Sequence, residues 1–61
     1  MIDQKINSLK KELKEKLLAR LESLKDAIER EDFMDSDELL EDMRMKVFRF
    51  NRTVLKLVEE E

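Results

Sequence analysis

The chain has 61 residues, of which 48% are charged, and its net charge is −3, yet it contains no His, Cys, Gly or Pro. The absence of Cys and His excludes disulfides, thiol nucleophiles and imidazole ligands, and the absence of Gly excludes phosphate-cradling loops. A core this small rarely contributes more than about 3–5 kcal/mol, so we expect added stability from association. We predict that the chain is not an enzyme and uses no cofactor, metal or small-molecule substrate.

The composition favours helices. Ala, Leu, Glu, Lys, Arg and Met are frequent, and all are good helix formers. The hydrophobic share of 41% is too high for a disordered polar tract. The N-terminal residues lack the apolar segment of a signal peptide, and no run approaches the roughly 18–20 apolar residues of a membrane span. We therefore expect a soluble, all-α protein with a cytoplasmic location and no membrane contact.

The first predicted helix covers residues 3–30 approximately. Its apolar residues recur at intervals of three or four, which is close to the helical period, so they fall on one stripe. Opposite charges four residues apart follow its outer face. The apolar stripe consists of Ile2, Ile6, Leu9, Leu13, Leu17, Leu21, Leu24 and Ile28. The charge pairs are Lys11–Glu15, Glu12–Lys16, Lys25–Glu29 and Asp26–Arg30.

A break is predicted at the acidic segment 31–35. Asp35 has the side chain of a helix N-cap, and Glu38 three residues later would complete a capping box. Met34 and Leu39 stand at the positions of a hydrophobic staple. These signals predict that the second helix starts at residue 36. One uninterrupted helix is the alternative, because no Gly or Pro interrupts the pattern.

The second predicted helix covers residues 36–59 approximately and carries a heptad stripe. Reversal at 31–35 would make the helices antiparallel, with facing residue numbers adding up to about 66, so that the two stripes match. The predicted fold is a single all-α domain, 1–61: an antiparallel two-helix hairpin that completes a helical bundle by dimerisation or by docking on a partner. The heptad stripe consists of Leu40, Met43, Val47, Phe50, Val54 and Leu57.

Apolar residues also lie outside this heptad stripe. Phe48 and Leu55 each follow a stripe residue, about 100° around the helix. They either widen the core face or form an interface with a second copy or a larger protein. We predict the interface, with Met and Phe supplying adaptable contact area and two arginines as its polar rim. The predicted interface residues are Met43, Met45, Phe48, Leu55, Val58, Arg49 and Arg52.

Charge is strongly segmented along the second half of the chain. Residues 31–42 carry seven acidic and no basic side chains, whereas residues 43–56 carry five basic and no acidic ones. The basic block is interpreted as a solvated face, a contact for an acidic protein, or a phosphate-binding stripe. The acidic block lacks the ligand spacing and Gly of a calcium loop, so helix capping or contact with a basic protein explains it better. The candidate phosphate-binding residues are Arg44, Lys46, Arg49, Arg52 and Lys56.

These observations predict a non-catalytic protein–protein interaction module. Such a chain would act as a small regulator, a chaperone-like escort or an assembly subunit, either as a homodimer or on a larger protein. The alternative is a regulator that binds nucleic acid through the basic block.

Overall fold

A computed structural model describes residues 2–60 as two helices, α1 (Ile2–Glu29) and α2 (Phe33–Glu59). The helices pack against each other as an antiparallel hairpin, so the uninterrupted-helix alternative is wrong. The Cα atoms span 46 × 16 × 6 Å, which makes the molecule a long, flat slab. The first and last residues of the predicted domain, 1 and 61, lie outside the described residues.

Two backbone hydrogen bonds reverse the chain at the end of α1. The N–H of Glu31 donates to the carbonyl of Ile28 at 2.9 Å, and the N–H of Asp32 donates to the carbonyl of Ala27 at 2.9 Å. This pair defines a Schellman motif, in which one residue adopts the left-handed conformation. Glu31 takes that place with φ 59°, although Gly is the usual occupant because it has no Cβ.

The cap of α2 is Asp32. Its carboxylate accepts the N–H of Asp35 at 3.0 Å, and the hydroxyl of Ser36 donates to its carbonyl at 2.9 Å. The predicted cap at Asp35 and its capping box with Glu38 are therefore wrong, and α2 begins three residues earlier than predicted. Aspartates occur at both 32 and 35, and the early closure after α1 selects the first of them.

Arg30 forms ion pairs with three aspartates on the exposed surface of the turn. Its guanidinium lies 3.0 Å from Asp26, 3.6 Å from Asp32 and 3.4 Å from Asp35. The pKa of Arg30 is raised, first by the hydrogen bond to Asp26 and by the negative charge of that carboxylate, and then by the charges of Asp32 and Asp35. Because the cluster is exposed, water and salt screen it strongly.

The core between the helices is thin. Among residues 2–60, the buried positions are Leu24, Ala27 and Ser36, and Ala27 has no exposed surface. Two of these three side chains are small, which allows close approach of the helices beside the turn. Elsewhere the seam, meaning the half-buried positions that face the other helix, consists of Ile2, Ile6, Leu9, Leu13 and Leu17 on α1, and Leu39, Asp42, Met43, Lys46, Phe50, Val54 and Leu57 on α2.

The register differs from the predicted one by about one helical turn. Arg20 and Asp42 form an ion pair of 3.0 Å across the seam, so facing residue numbers add up to about 62 rather than 66. The shift has a simple cause, because the chain reverses around Glu31 rather than over 31–35. In this register Phe50 faces Leu13, and both line a groove with Lys14 and Leu17.

The new register removes several predicted stripe residues from the seam. Leu40 is 52% exposed and Val47 is 37% exposed, and their neighbours Leu39 and Lys46 face α1 instead. The same happens on α1, where half the surface of Leu21 and Ile28 stays in contact with water. Met34 does not staple the start of α2, since it is 82% exposed. The packed hairpin therefore leaves much of its apolar surface uncovered.

Candidate interaction surfaces

One broad side of the slab, the polar face, carries charged and polar residues from both helices. Asp42 lies 3.0 Å from Arg20 and 3.4 Å from Lys46, so one carboxylate joins the two helices there. The buried Oδ2 of Asp42 accepts no well-aligned hydrogen bond in the described part of the chain, so the pairing with Arg20 is electrostatic. A shallow groove runs along the same side, lined by Leu9, Glu12, Leu13, Lys16, Lys46, Arg49, Phe50 and Thr53.

The opposite side of the slab, the apolar face, carries exposed hydrophobic residues. Each of them comes one position after a residue that points toward the other helix. One residue turns a helix by about 100°. The two helices are antiparallel and face each other, so this step leads to the same side of the hairpin from both of them. Lys14 and Leu18 of α1 line a groove there with Phe50 of α2. The exposed residues of the apolar face are Leu18, Leu21, Ile28, Phe33, Leu40, Val47 and Val58.

The residues of the apolar face are in register with one another. Ile28 and Phe33 have numbers that add up to 61, as do those of Leu21 and Leu40, which is close to the value set by the Arg20–Asp42 pair. They therefore lie opposite each other across the two helices. The half of the hairpin nearer the turn therefore presents two facing pairs of exposed apolar residues on this side.

A third surface, the outer groove, runs along the side of α2 that points away from α1. It gathers three apolar residues and three cations in the second half of the helix. The guanidinium carbon of Arg52 lies 5.8 Å from the centre of the Phe48 ring, within the range of a cation–π contact. The outer groove is lined by Met45, Phe48, Arg49, Arg52, Thr53, Leu55, Lys56 and Glu59.

The predicted interface residues divide among these surfaces. Five of the seven line the outer groove, namely Met45, Phe48, Leu55, Arg49 and Arg52. Phe48 is 52% exposed and Leu55 is 60% exposed, so the hairpin does not bury them as a wider core face. The remaining two lie elsewhere: Met43 is half-buried in the seam, and Val58 belongs to the apolar face.

The predicted phosphate-binding residues do not form one continuous stripe. Arg49, Arg52 and Lys56 share the outer groove. Arg44 lines a separate hollow with Asp37 and Glu41, whose carboxylates oppose phosphate binding there. Lys46 is half-buried at the edge of the seam that borders the polar face, where it pairs with Asp42 at 3.4 Å.

The apolar face was missed as a separate surface at the sequence level. Leu21, Ile28, Leu40 and Val47 were all identified as apolar stripe residues, but the stripes were assigned entirely to contact between the two helices. The sequence signal that could have revealed this face is the width of the apolar pattern, because each helix has more apolar positions than a single neighbouring helix can cover.

Comparison with protein-family models, with curated proteins and with solved structures finds no match to this chain. Within residues 2–60, neither helix has an apolar stretch of the length needed to cross a membrane. In the same range, no three acidic side chains come together in a way that would hold a metal ion.

Proposed function

We propose that this protein is a non-catalytic protein-binding module, a small regulator, escort or assembly subunit. It binds an amphipathic helix of another protein in the outer groove of α2. The observation that carries this proposal is the position of Met45, Phe48 and Leu55, which are exposed on the side of α2 turned away from α1. Aromatic residues and Met are enriched at the centres of protein interfaces.

The rim of the groove indicates the charge of the partner. Arg49, Arg52 and Lys56 lie along it, and none of the three forms an ion pair within 4.0 Å in the described range 2–60. A single acid, Glu59, stands at one end of the groove. Cations around an apolar floor favour a helix with hydrophobic residues on one side and acidic residues beside them.

Two synthetic helical peptides test this proposal. They share the same apolar positions, and their flanking residues are glutamates in one peptide and lysines in the other. We expect fluorescence anisotropy to give about tenfold tighter binding of the acidic peptide, with a difference that shrinks as salt screens the rim. Phe48→Glu should abolish the binding, because it places a carboxylate in the apolar floor.

Met34→Glu is the matched control. Met34 is also exposed on α2 but lies near the turn, outside the outer groove. It should leave peptide affinity unchanged. Equal affinity for the two peptides, or equal loss in Phe48→Glu and Met34→Glu, would contradict the proposal.

A nucleic-acid-binding regulator is the second candidate, and one observation favours it. Arg49, Arg52 and Lys56 line the groove with the Phe48 ring, which combines phosphate-binding cations with a surface for base stacking. Single-stranded oligonucleotides provide the test in the same anisotropy assay. Affinity that falls steeply with salt and with Arg49→Glu, but survives Leu55→Ala, would favour this candidate over the peptide-binding one.

A further inference from the structure

We infer that the apolar face binds a second copy of this chain, face to face and with the two turns at opposite ends, to form an antiparallel four-helix bundle. This contact uses a different side of the hairpin from the outer groove. It therefore goes beyond the proposed function and leaves the outer groove open in the dimer. Three features of the hairpin support this dimer: its exposed area, its charges and its register.

The solvent-accessible surface of the hairpin is larger than that of typical folded monomers of the same mass. Its accessible surface is 5302 Å² for 7.4 kDa. Folded monomers of that mass expose about 4,200 Å², so the hairpin has an excess of about 1,100 Å². A standard interface covers about 800 Å² per partner. Covering one broad face of the slab accounts for the excess, and the apolar face is the side that water solvates least well.

The charge blocks select the orientation. Residues 31–42 are purely acidic and residues 43–56 are purely basic among their charged members. If the two turns lay at the same end, the seven acids of each copy would gather at one end of the bundle, where their charges repel. With the turns at opposite ends, the acidic blocks are kept apart, and Asp37 and Glu41, which line the hollow beside Leu40, come near Arg44 of the second copy.

The register between α1 and α2 shows where the two-fold axis of the dimer would cross each helix. The axis that superposes the acidic block on the basic block crosses α2 at the boundary between residues 42 and 43. Facing numbers add up to about 62, so the same axis crosses α1 between Leu18 and Leu21. Each Leu18 then lies against Leu21 of the second copy, and Leu40 approaches Val47 of the second copy. Under this one placement of the axis, the exposed apolar residues at the middle of each helix meet apolar residues of the second copy.

The matched variants for this inference are Leu40→Glu and Phe48→Glu. Both positions are on α2 and both are 52% exposed, but Leu40 lies on the apolar face and Phe48 in the outer groove. Sedimentation equilibrium of the wild-type chain should give twice the 7.4 kDa of one copy. Leu40→Glu should raise the dimer dissociation constant at least about tenfold, whereas Phe48→Glu should leave it unchanged while abolishing peptide binding.

The orientation has its own measurement. The chain contains no Cys, so Glu31→Cys carries a single spin label at the turn. At 1.5 Å per residue, turns at opposite ends place the two labels about 35 Å apart, and pulsed electron resonance measures this distance while the apolar face stays unchanged. Labels about 10 Å apart, the spacing of packed helices, would overturn the orientation, and a wild-type monomer would overturn the inference even if peptide binding were retained.

Discussion

Glu31 is the residue on which the whole register depends. Its left-handed backbone closes the turn after α1, and the Asp32 cap follows directly from that closure. A chain without Gly gives no sequence signal for the position of such a turn, because Gly is what usually marks it. The acidic residues showed that a break was present, but Asp32 and Asp35 could both serve as a cap, so the sequence located the break only to within a few residues.

Replacing Glu31 by Gly should stabilise the hairpin by about 1 kcal/mol, because Gly has no Cβ to crowd the left-handed backbone. The measurement is urea denaturation followed by far-UV circular dichroism, at one fixed protein concentration. Glu31→Ala is the control, since it removes the same charge but keeps a Cβ. If Gly and Ala gave the same midpoint, the positive φ would not be the source of strain.

At the scale of the elements, the two helices were predictable and their contact was not. The apolar periodicity specified both helices and the antiparallel arrangement. It did not specify which apolar residues face the other helix, because each stripe is wider than one seam. The four-residue change in register moved Leu40 and Val47 to the surface and brought Leu39 and Lys46 to the seam. The small residues Ala27 and Ser36 mark the closest approach of the helices. Apolar periodicity did not predict this, because neither residue belongs to an apolar stripe.

Enlarging Ala27 to Leu should destabilise the hairpin by about 1–3 kcal/mol, because this side chain is completely buried where the helices meet. Chemical denaturation at fixed concentration measures the change. Ala19→Leu makes the same substitution at an exposed position of α1 and should have little effect. Equal stability of the two variants would contradict the close approach of the helices beside the turn.

At the scale of the whole molecule, the hairpin is more extended than a self-contained domain. Its radius of gyration is 14.4 Å, whereas a compact chain of this length has about 10.5 Å. Folding into this shape removes only about half of the surface of the unfolded chain, less than the roughly 60% of small domains. The length of the sequence indicated that the hydrophobic core would be small, and the absence of Cys and His indicated that no disulfide or imidazole-bound metal would compensate for it. Only the packed register revealed that the uncovered surface lies on two separate sides, the apolar face and the outer groove.

The most direct test of this account is the thermal unfolding of the wild-type chain at two concentrations, followed by circular dichroism. If the apolar face is covered by a second copy, the midpoint should rise by about 5 °C or more between about 2 μM and about 200 μM protein. An identical midpoint at the two concentrations, together with a cooperative transition, would mean that one hairpin is stable with its apolar face in water. That result would contradict the central claim.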